Sequence, residues 1–214
     1  RDNVHAAACG FLNIKYCYIV PAISKTQHND KTYNILKLLN RKLSDALQRK
    51  ALNKADSIIA FSNNVINQLK DYGISTDVEM LPPGVDASRF TTVSAVQIEN
   101  IERHLNVPLC KTRYVCVGRL THEKGIIRAV EAMSYLSKDS QLIIVGEGVE
   151  LPNIENCIHR LNLEGNVILT GARHDVERYM QISDVLVLPS SYEAFGQVII
   201  EAMASGLKIV GYDN

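Results

Sequence analysis

The chain has 214 residues, of which 46% are hydrophobic and 21% are charged, and its formal net charge is zero. This length and composition allow a sizeable core and exclude a compositionally disordered chain. The balanced charge gives no strong overall field, so we expect no nucleic-acid partner. The five cysteines have no metal-binding spacing, and no long apolar run indicates a spanning helix. We therefore expect reduced core cysteines and a cytoplasmic location.

The first part of the chain predicts strands that alternate with helices. Short apolar runs predict buried strands at 17–20, 57–61 and 78–81. Helices are expected at 31–54 and, with Ser62 as its cap, at 63–72. The first helix carries seven basic residues against a single acidic one, Asp45. Such a helix is typical of a solvated face, with peripheral contact to anionic lipid at the cytoplasmic membrane face as the alternative.

A Pro-Pro-Gly break at 82–84 separates this part from a second series of elements. Strands are expected near residues 114, 142, 167, 184 and 208, with helices that begin near 126, 150, 175 and 195. Repeated strand-helix-strand units predict an α/β fold with parallel sheets. We predict a first domain at 1–85, a linker with a short helix at 86–112, and a second domain at 113–214.

Polar junctions follow the strands of the second domain: the glycine-bearing Gly118-Arg119, Gly146-Glu147-Gly148 and Gly171-Ala172-Arg173, and the polar residues 190–193. The carboxyl ends of parallel strands share one edge of the sheet, where open α/β proteins bind ligands. We therefore expect these junctions to meet at one crevice. A lone Gly-x-Gly is also typical of a tight strand exit, and Arg173 also suits a plain turn, so both alternatives stay open.

The most informative segment is 189–206, in which a buried strand turns into a helix expected to begin near Phe195. Gly196 allows close backbone approach, and the first N–H groups of a helix favour an anion such as a diphosphate. Glu193 precedes the helix and Glu201 lies within it. This placement does not suit the carboxylate pair of a hydrolase but does suit hydroxyl groups on either side of a phosphate. The combination describes a nucleotide sugar.

Two cations, Arg119 and Lys124, flank the short loop after the first strand of the second domain. At a helix start they would neutralise a diphosphate, and the alternative is a pair of solvated surface charges. No Asp-x-Asp sequence is present to chelate a metal ion. We therefore expect neither a metal nor a cofactor.

The motifs, taken together, resemble those of retaining GT-B glycosyltransferases of the group 1, or family 4, type. Glu193 and Glu201 with an intervening Phe-Gly match the Glu-x7-Glu signature. Further matches are Gly-Arg-Leu and Glu-Lys-Gly within 114–125, an apolar strand that ends in Gly-x-Gly at 142–148, and Pro-Pro-Gly-Val-Asp at 82–86. The motifs cover most of residues 55–212 in the family's order.

The resemblance implies a GT-B fold of two Rossmann-like parallel-sheet domains, which we expect to be incomplete at both chain ends. It implies transfer of a sugar from a UDP-, GDP- or other nucleotide-sugar donor to a hydroxyl of a saccharide or lipid-linked acceptor. The transfer would retain the anomeric configuration and serve polysaccharide, glycolipid or glycoconjugate synthesis. A non-catalytic nucleotide-sugar-binding fragment, and a GT-B epimerase or phosphorylase, are the alternatives.

The resemblance assigns catalysis to Glu193, Arg119 and Lys124. It implies that the cations stabilise the departing diphosphate, that Glu193 contacts the sugar, and that Glu201 binds the ribose hydroxyls. The donor-binding residues that it implies are Gly118, Arg119, Lys124, Gly146, Gly148, Ala172, Arg173, Phe195, Gly196, Gln197 and Glu201.

Overall fold

A computed structural model describes residues 15–20, 35–108, 112–191, 193 and 195–212, with the main chain alone for 35–44. The chain divides into two compact units, Arg1–Pro83 and Gly84–Asn214. Each unit contains a parallel sheet with alternating helices, as the strand and helix patterns predict. No helix in the described residues is long and apolar enough to cross a membrane.

The described part of the first unit forms a three-stranded parallel sheet in the order β1-β2-β3. Its elements are β1 Cys17–Val20, α1 Ile35–Lys54, β2 Ser57–Ala60, α2 Asn63–Asp71 and β3 Val78–Met80. Ile58, Val65 and Leu69 are completely buried between the sheet and its helices. Ser62 caps α2 as predicted, with its side chain accepting from the N–H of Val65.

Residues 31–34 of the predicted first helix lie outside the described residues, whereas 35–54 are helical. The prediction that Cys17 is a core residue is wrong: it is the first residue of β1, and its side chain is exposed. In the second unit, by contrast, Cys116 is completely buried, and burial raises the pKa of its thiol to about 12.

The described part of the second unit forms a five-stranded parallel sheet in the order β6-β5-β4-β7-β8. Its elements are α3 Ala95–Leu105, β4 Thr112–Val117, a 3-10 turn His122–Lys124, α4 Ile126–Met133, β5 Ser140–Val145, α5 Leu151–Leu161, β6 Val167–Leu169, α6 Val176–Gln181, β7 Val185–Leu188, α7 Gln197–Ala204 and β8 Lys208–Gly211. After β4 the chain builds one side of the sheet, and from β7 it builds the other. The direction of winding therefore switches between β4 and β7, and in open α/β sheets the ligand crevice lies at the carboxyl ends of such a pair of strands.

Apolar side chains cover both faces of this sheet. On one face, Cys116 and Leu142 pack with α4 and α5, and on the other, Val115 and Ile143 pack with α6 and α7. Neighbouring strand residues face opposite sides, and both sides are covered, so β5 is buried at all its positions and is continuously apolar from Leu142 to Val145. Burial of each of the aliphatic side chains stabilises the fold by about 1.5–3 kcal/mol, relative to leaving that side chain exposed to water.

The segment 86–112, predicted as a linker, belongs with the second unit. Phe90 is 8% exposed within that unit's core, and Ile98, Ile101 and Leu105 of α3 pack on the same cluster. A capping box starts α3, in which Ser94 and Gln97 exchange hydrogen bonds. The apolar side chains of α3 therefore attach this polar segment to the core of the second unit.

A buried arginine joins α3 to the amino end of the sheet. Arg113 is 3% exposed, and its Nη1 donates to Glu102 Oε1 at 2.5 Å and to the carbonyl of Ile182 at 2.8 Å. Its Nε donates to Gln141 and its Nη2 to the carbonyl of Pro108. Because its charge is paired and each guanidinium nitrogen has an acceptor, burial does not leave an isolated cation.

Candidate functional site at the carboxyl edge of the second sheet

The base of the crevice consists of closely packed main chain. Gly118 donates its N–H to the carbonyl of Val145 at 3.0 Å. A Cβ at Gly146 would lie 1.9 Å from the carbonyl oxygen of Gly118, and one at Gly148 would lie 2.3 Å from that of Leu120. Both positions therefore require glycine for packing. The predicted contact of these glycines with a donor stays a prediction.

The structure brings together two of the predicted catalytic side chains. Lys124 Nζ lies 2.5 Å from Glu193 Oε1, and the hydroxyl of Ser190 donates to the same oxygen at 3.1 Å. About a quarter of each charged side chain is exposed, 25% for Lys124 and 26% for Glu193. In this arrangement the cation and the carboxylate neutralise each other. Ser190, which orients the carboxylate, lies in the junction 190–193 that the sequence predicts at the crevice, but its contact with Glu193 is not part of that prediction.

The loop that carries Glu193 is anchored to the start of α4. Arg128 Nη1 donates to the carbonyl of Pro189 at 3.0 Å, and the N–H of Ser191 donates to the carbonyl of Glu123. Gly125 permits this approach, since a Cβ there would lie 2.5 Å from the Pro189 oxygen. Arg128 is missing from the sequence prediction because it carries no motif of its own, and only the fold brings it to residue 189.

Arg119 differs from Lys124 in its surroundings. It is exposed just beyond the carboxyl end of β4. Within the part of the chain that the structure describes, its side chain has no hydrogen-bond or ion-pair partner. Its guanidinium thus keeps all its donors for an anion in the crevice.

Helix α7 begins at Gln197, two residues later than predicted from the sequence. Gly196 has a φ of 74°, which is left-handed and ends the loop, so Phe195 precedes the helix. A Cβ at residue 196 would also lie 2.7 Å from Ile199 Cδ1. The first N–H groups of α7 have no acceptor within the helix, and no side chain caps them. Such a helix start favours an anion.

Glu201 lies one turn into α7, where it is partly buried. Burial raises the pKa of its carboxyl, whereas the side chain of Gln197 and the charge of Arg89 act in the opposite direction. Arg89 is held by Glu177 at 2.8 Å and by the carbonyl of His174 at 3.1 Å. Sequence reasoning missed Arg89 because it lies in the segment predicted as a linker.

Arg173, a predicted contact for the nucleobase, is engaged locally. Its guanidinium makes a bidentate pair with Asp175, with distances of 2.9 and 3.0 Å, and this pair lowers the pKa of the Asp175 carboxyl. The neighbouring Gly171 accepts a hydrogen bond from the N–H of Gly146 at 2.8 Å. The junction that contains Ala172 thus adjoins the Gly146 junction. The base-recognition role of Ala172 and Arg173 stays a prediction.

The fold and this edge define a class of protein. The crystal structure of HepE of Anabaena in complex with UDP and glucose is similar to this chain, with a TM-score of 0.83 and 22% identity. The similarity covers 98% of this chain and 56% of HepE. The chain therefore has the GT-B fold of glycosyltransferases.

The sequence also matches the models of two glycosyltransferase families. The model for glycosyl transferases group 1 matches residues 97–214, and that for glycosyltransferase family 4 matches residues 3–89. The chain belongs to the glycosyl transferases group 1 family.

Curated relatives are longer than this chain. TuaC of Bacillus subtilis, a candidate teichuronic acid biosynthesis glycosyltransferase, is 30% identical over 77% of this chain and 40% of its own length. Alpha-monoglucosyldiacylglycerol synthase of Streptococcus pneumoniae is 24% identical over 88% of this chain and 45% of its own length. The chain thus spans less than half the length of these two relatives.

Proposed function

We propose that the protein transfers a sugar from a nucleotide-sugar donor to an acceptor hydroxyl, with retention of the anomeric configuration and without a metal ion. The observation that carries this proposal is the arrangement around the start of α7. An uncapped helix N-terminus lies between Glu193, which is paired with Lys124, and Glu201, which is partly buried. An anion-binding helix start between two carboxylates matches a diphosphate between two hydroxyl-bearing rings.

Each group then has a role in the transfer. Arg119 and Lys124 bind the diphosphate and stabilise the charge that develops as it leaves. Glu201 accepts the ribose hydroxyls, and Glu193 accepts hydroxyls of the donor sugar. The bond between the anomeric carbon and the phosphate oxygen breaks as the acceptor oxygen bonds to the same face. The acceptor's proton passes to the departing phosphate oxygen, which balances the reaction.

The comparisons suggest which substrates to try. HepE was crystallised with UDP and glucose, so UDP and UDP-glucose are the first donor probes, and GDP is the second. The relatives named for teichuronic acid and a glucosylated diacylglycerol support a saccharide or lipid-linked acceptor in cell-envelope synthesis. We propose that the protein works in the cytoplasm, with its basic first helix near anionic lipid when the acceptor is a lipid.

Calorimetric titration of the chain with UDP tests the donor site. Arg119→Ala should weaken UDP binding by about tenfold or more, because a charge-assisted hydrogen bond contributes about 1.5–3 kcal/mol. Arg160→Ala is the matched control, since it removes an exposed arginine from the far end of α5. EDTA should leave the affinity unchanged. Equal affinities for the unaltered chain and Arg119→Ala would refute the assignment.

A second candidate is a nucleotide-sugar-binding fragment without turnover. It is favoured by one observation, that two of the groups proposed for catalysis, Lys124 and Glu193, are paired with each other at 2.5 Å. NMR of UDP-glucose with the chain and an acceptor alcohol separates the candidates. A new α-glycoside supports retaining transfer, binding without product supports the fragment, and conversion of the donor sugar without acceptor indicates an epimerase.

A further inference from the structure

The side chain of Gln197 links the start of α7 to the first residue of the second unit. Its Nε2 donates a hydrogen bond to the carbonyl of Gly84 at 3.0 Å. Glu201 lies four residues later, on the same face of the helix. The Gln197 carboxamide therefore lies between the carbonyl of Gly84 and the carboxylate of Glu201, which is proposed to bind the ribose hydroxyls.

The segment that follows Gly84 is fastened beside this point. Arg89 pairs with Glu177 at 2.8 Å, and Gln181 Nε2 donates to the carbonyl of Arg89 at 3.1 Å. Phe90 then enters the core of the unit. The carbonyl of Gly84 thus belongs to a segment held by α6 and by the core, which makes it a fixed acceptor for Gln197.

We propose that Gln197 is a positioning residue that orients Glu201 for a nucleotide ribose by holding the carbonyl of Gly84. The inference rests on the proposed function, because it assigns a second residue to the same subsite. An amide NH₂ has two hydrogens, of which Gly84 takes one. The other is available to the Glu201 carboxylate, whose ionised form accepts hydroxyl groups.

The charges around Glu201 determine how loss of this donor is detected. Arg89 is the described cation whose field lowers the pKa of Glu201, and it is itself paired with Glu177 and close to Asp86. Gln197 lowers the same pKa, against the effect of burial. Removal of the Gln197 donor should therefore raise the pKa of Glu201. UDP binding should then fall off at a higher pH during acidification.

The experiment compares Gln197→Met with Gln181→Met in the 214-residue chain, with UDP as the probe. Both substitutions keep side-chain length and remove an amide hydrogen bond to a carbonyl of the same segment. Gln197→Met should raise the Kd of UDP by about fivefold, as expected for one hydrogen bond, and should move the acidic limb of binding to higher pH. Both variants should lower the melting temperature by similar amounts. Gln181→Met should change neither the Kd of UDP nor the pH dependence of binding.

Gln197→Glu provides a second variant of the same size. It removes the donor and places a carboxylate next to Glu201, so UDP binding should weaken by about tenfold. The inference about Gln197, but not the proposed function, would be overturned by either of two results. One is that Gln197→Met changes neither the Kd of UDP nor the acidic limb of binding, and the other is that Gln181→Met changes both as Gln197→Met does. Failure of the unaltered chain to bind UDP and GDP would overturn the proposed function and this inference together.

Discussion

Replacement of Glu193 by glutamine tests whether the carboxylate competes with a diphosphate for Lys124. The two charged atoms lie 2.5 Å apart in side chains that are about a quarter exposed. Unit charges about 4 Å apart attract by about 4 kcal/mol at an effective dielectric of about 20, and by about 1 kcal/mol in water. Measured values for exposed pairs are about 0.2–1 kcal/mol. We therefore expect Glu193→Gln to tighten UDP binding by up to about 1 kcal/mol, or about fivefold.

Isothermal titration at two ionic strengths measures this effect, which should shrink at high salt because the pair is partly exposed. Glu123→Gln is the matched control, since it removes an adjacent exposed carboxylate that has no ion pair among the described residues. The gain should be smaller for UDP-glucose, whose sugar would lose its contact with Glu193. Unchanged or weaker UDP binding by Glu193→Gln would refute the competition.

Three further substitutions probe other parts of the second unit. Glu201→Gln should weaken UDP binding yet raise the melting temperature at neutral pH. Burial raises the folded-state pKa of Glu201, so its ionised form destabilises the fold, and the gain should vanish below about pH 4.5, where both states are protonated. Gly146→Ala should lower the free energy of unfolding by more than about 2 kcal/mol in urea, because its Cβ would meet the Gly118 carbonyl. Arg113→Met should cost about 3–5 kcal/mol in the same assay, since Glu102 would lose its buried partner.

Matched variants control for these results. Gly165→Ala adds the same methyl group in open space, so an equal loss of stability there would contradict the close approach at Gly146. The double variant Arg113→Met with Glu102→Met should be more stable than Arg113→Met alone, because no unpaired carboxylate remains. A gain in melting temperature for Glu201→Gln that persisted at about pH 4 would contradict its assignment to ionisation.

The fold of the second unit follows closely from local sequence patterns. Residues 142–145 of β5 form a continuous apolar run because helices cover both faces of the sheet. The position of each polar junction then follows from parallel-strand geometry, which is why Lys124 and Glu193 meet although 68 residues lie between them. The GT-B family assignment made from these motifs is confirmed.

Other features depend on contacts that no local pattern encodes. Arg89 and Arg128 reach the site through hydrogen bonds to carbonyl groups of His174 and Pro189, and a carbonyl acceptor leaves no mark in the sequence. The start of α7 was misplaced because the left-handed φ of Gly196 excludes Phe195 from the helix. Exposure of Cys17 likewise depends on how the rest of the chain covers β1, which strand composition does not reveal.

The glycine contacts at the base of the crevice limit how this protein can be engineered. Side chains introduced at Gly146 or Gly148 would meet carbonyl oxygens at 1.9 and 2.3 Å, so libraries that randomise these positions would mainly yield misfolded chains. Under the proposed function, diversification for a new donor is better directed to Ala172 and Arg173, which are exposed at the junction next to Gly171. Redesign would thus keep the glycines at the base of the crevice unchanged and vary the exposed residues around it.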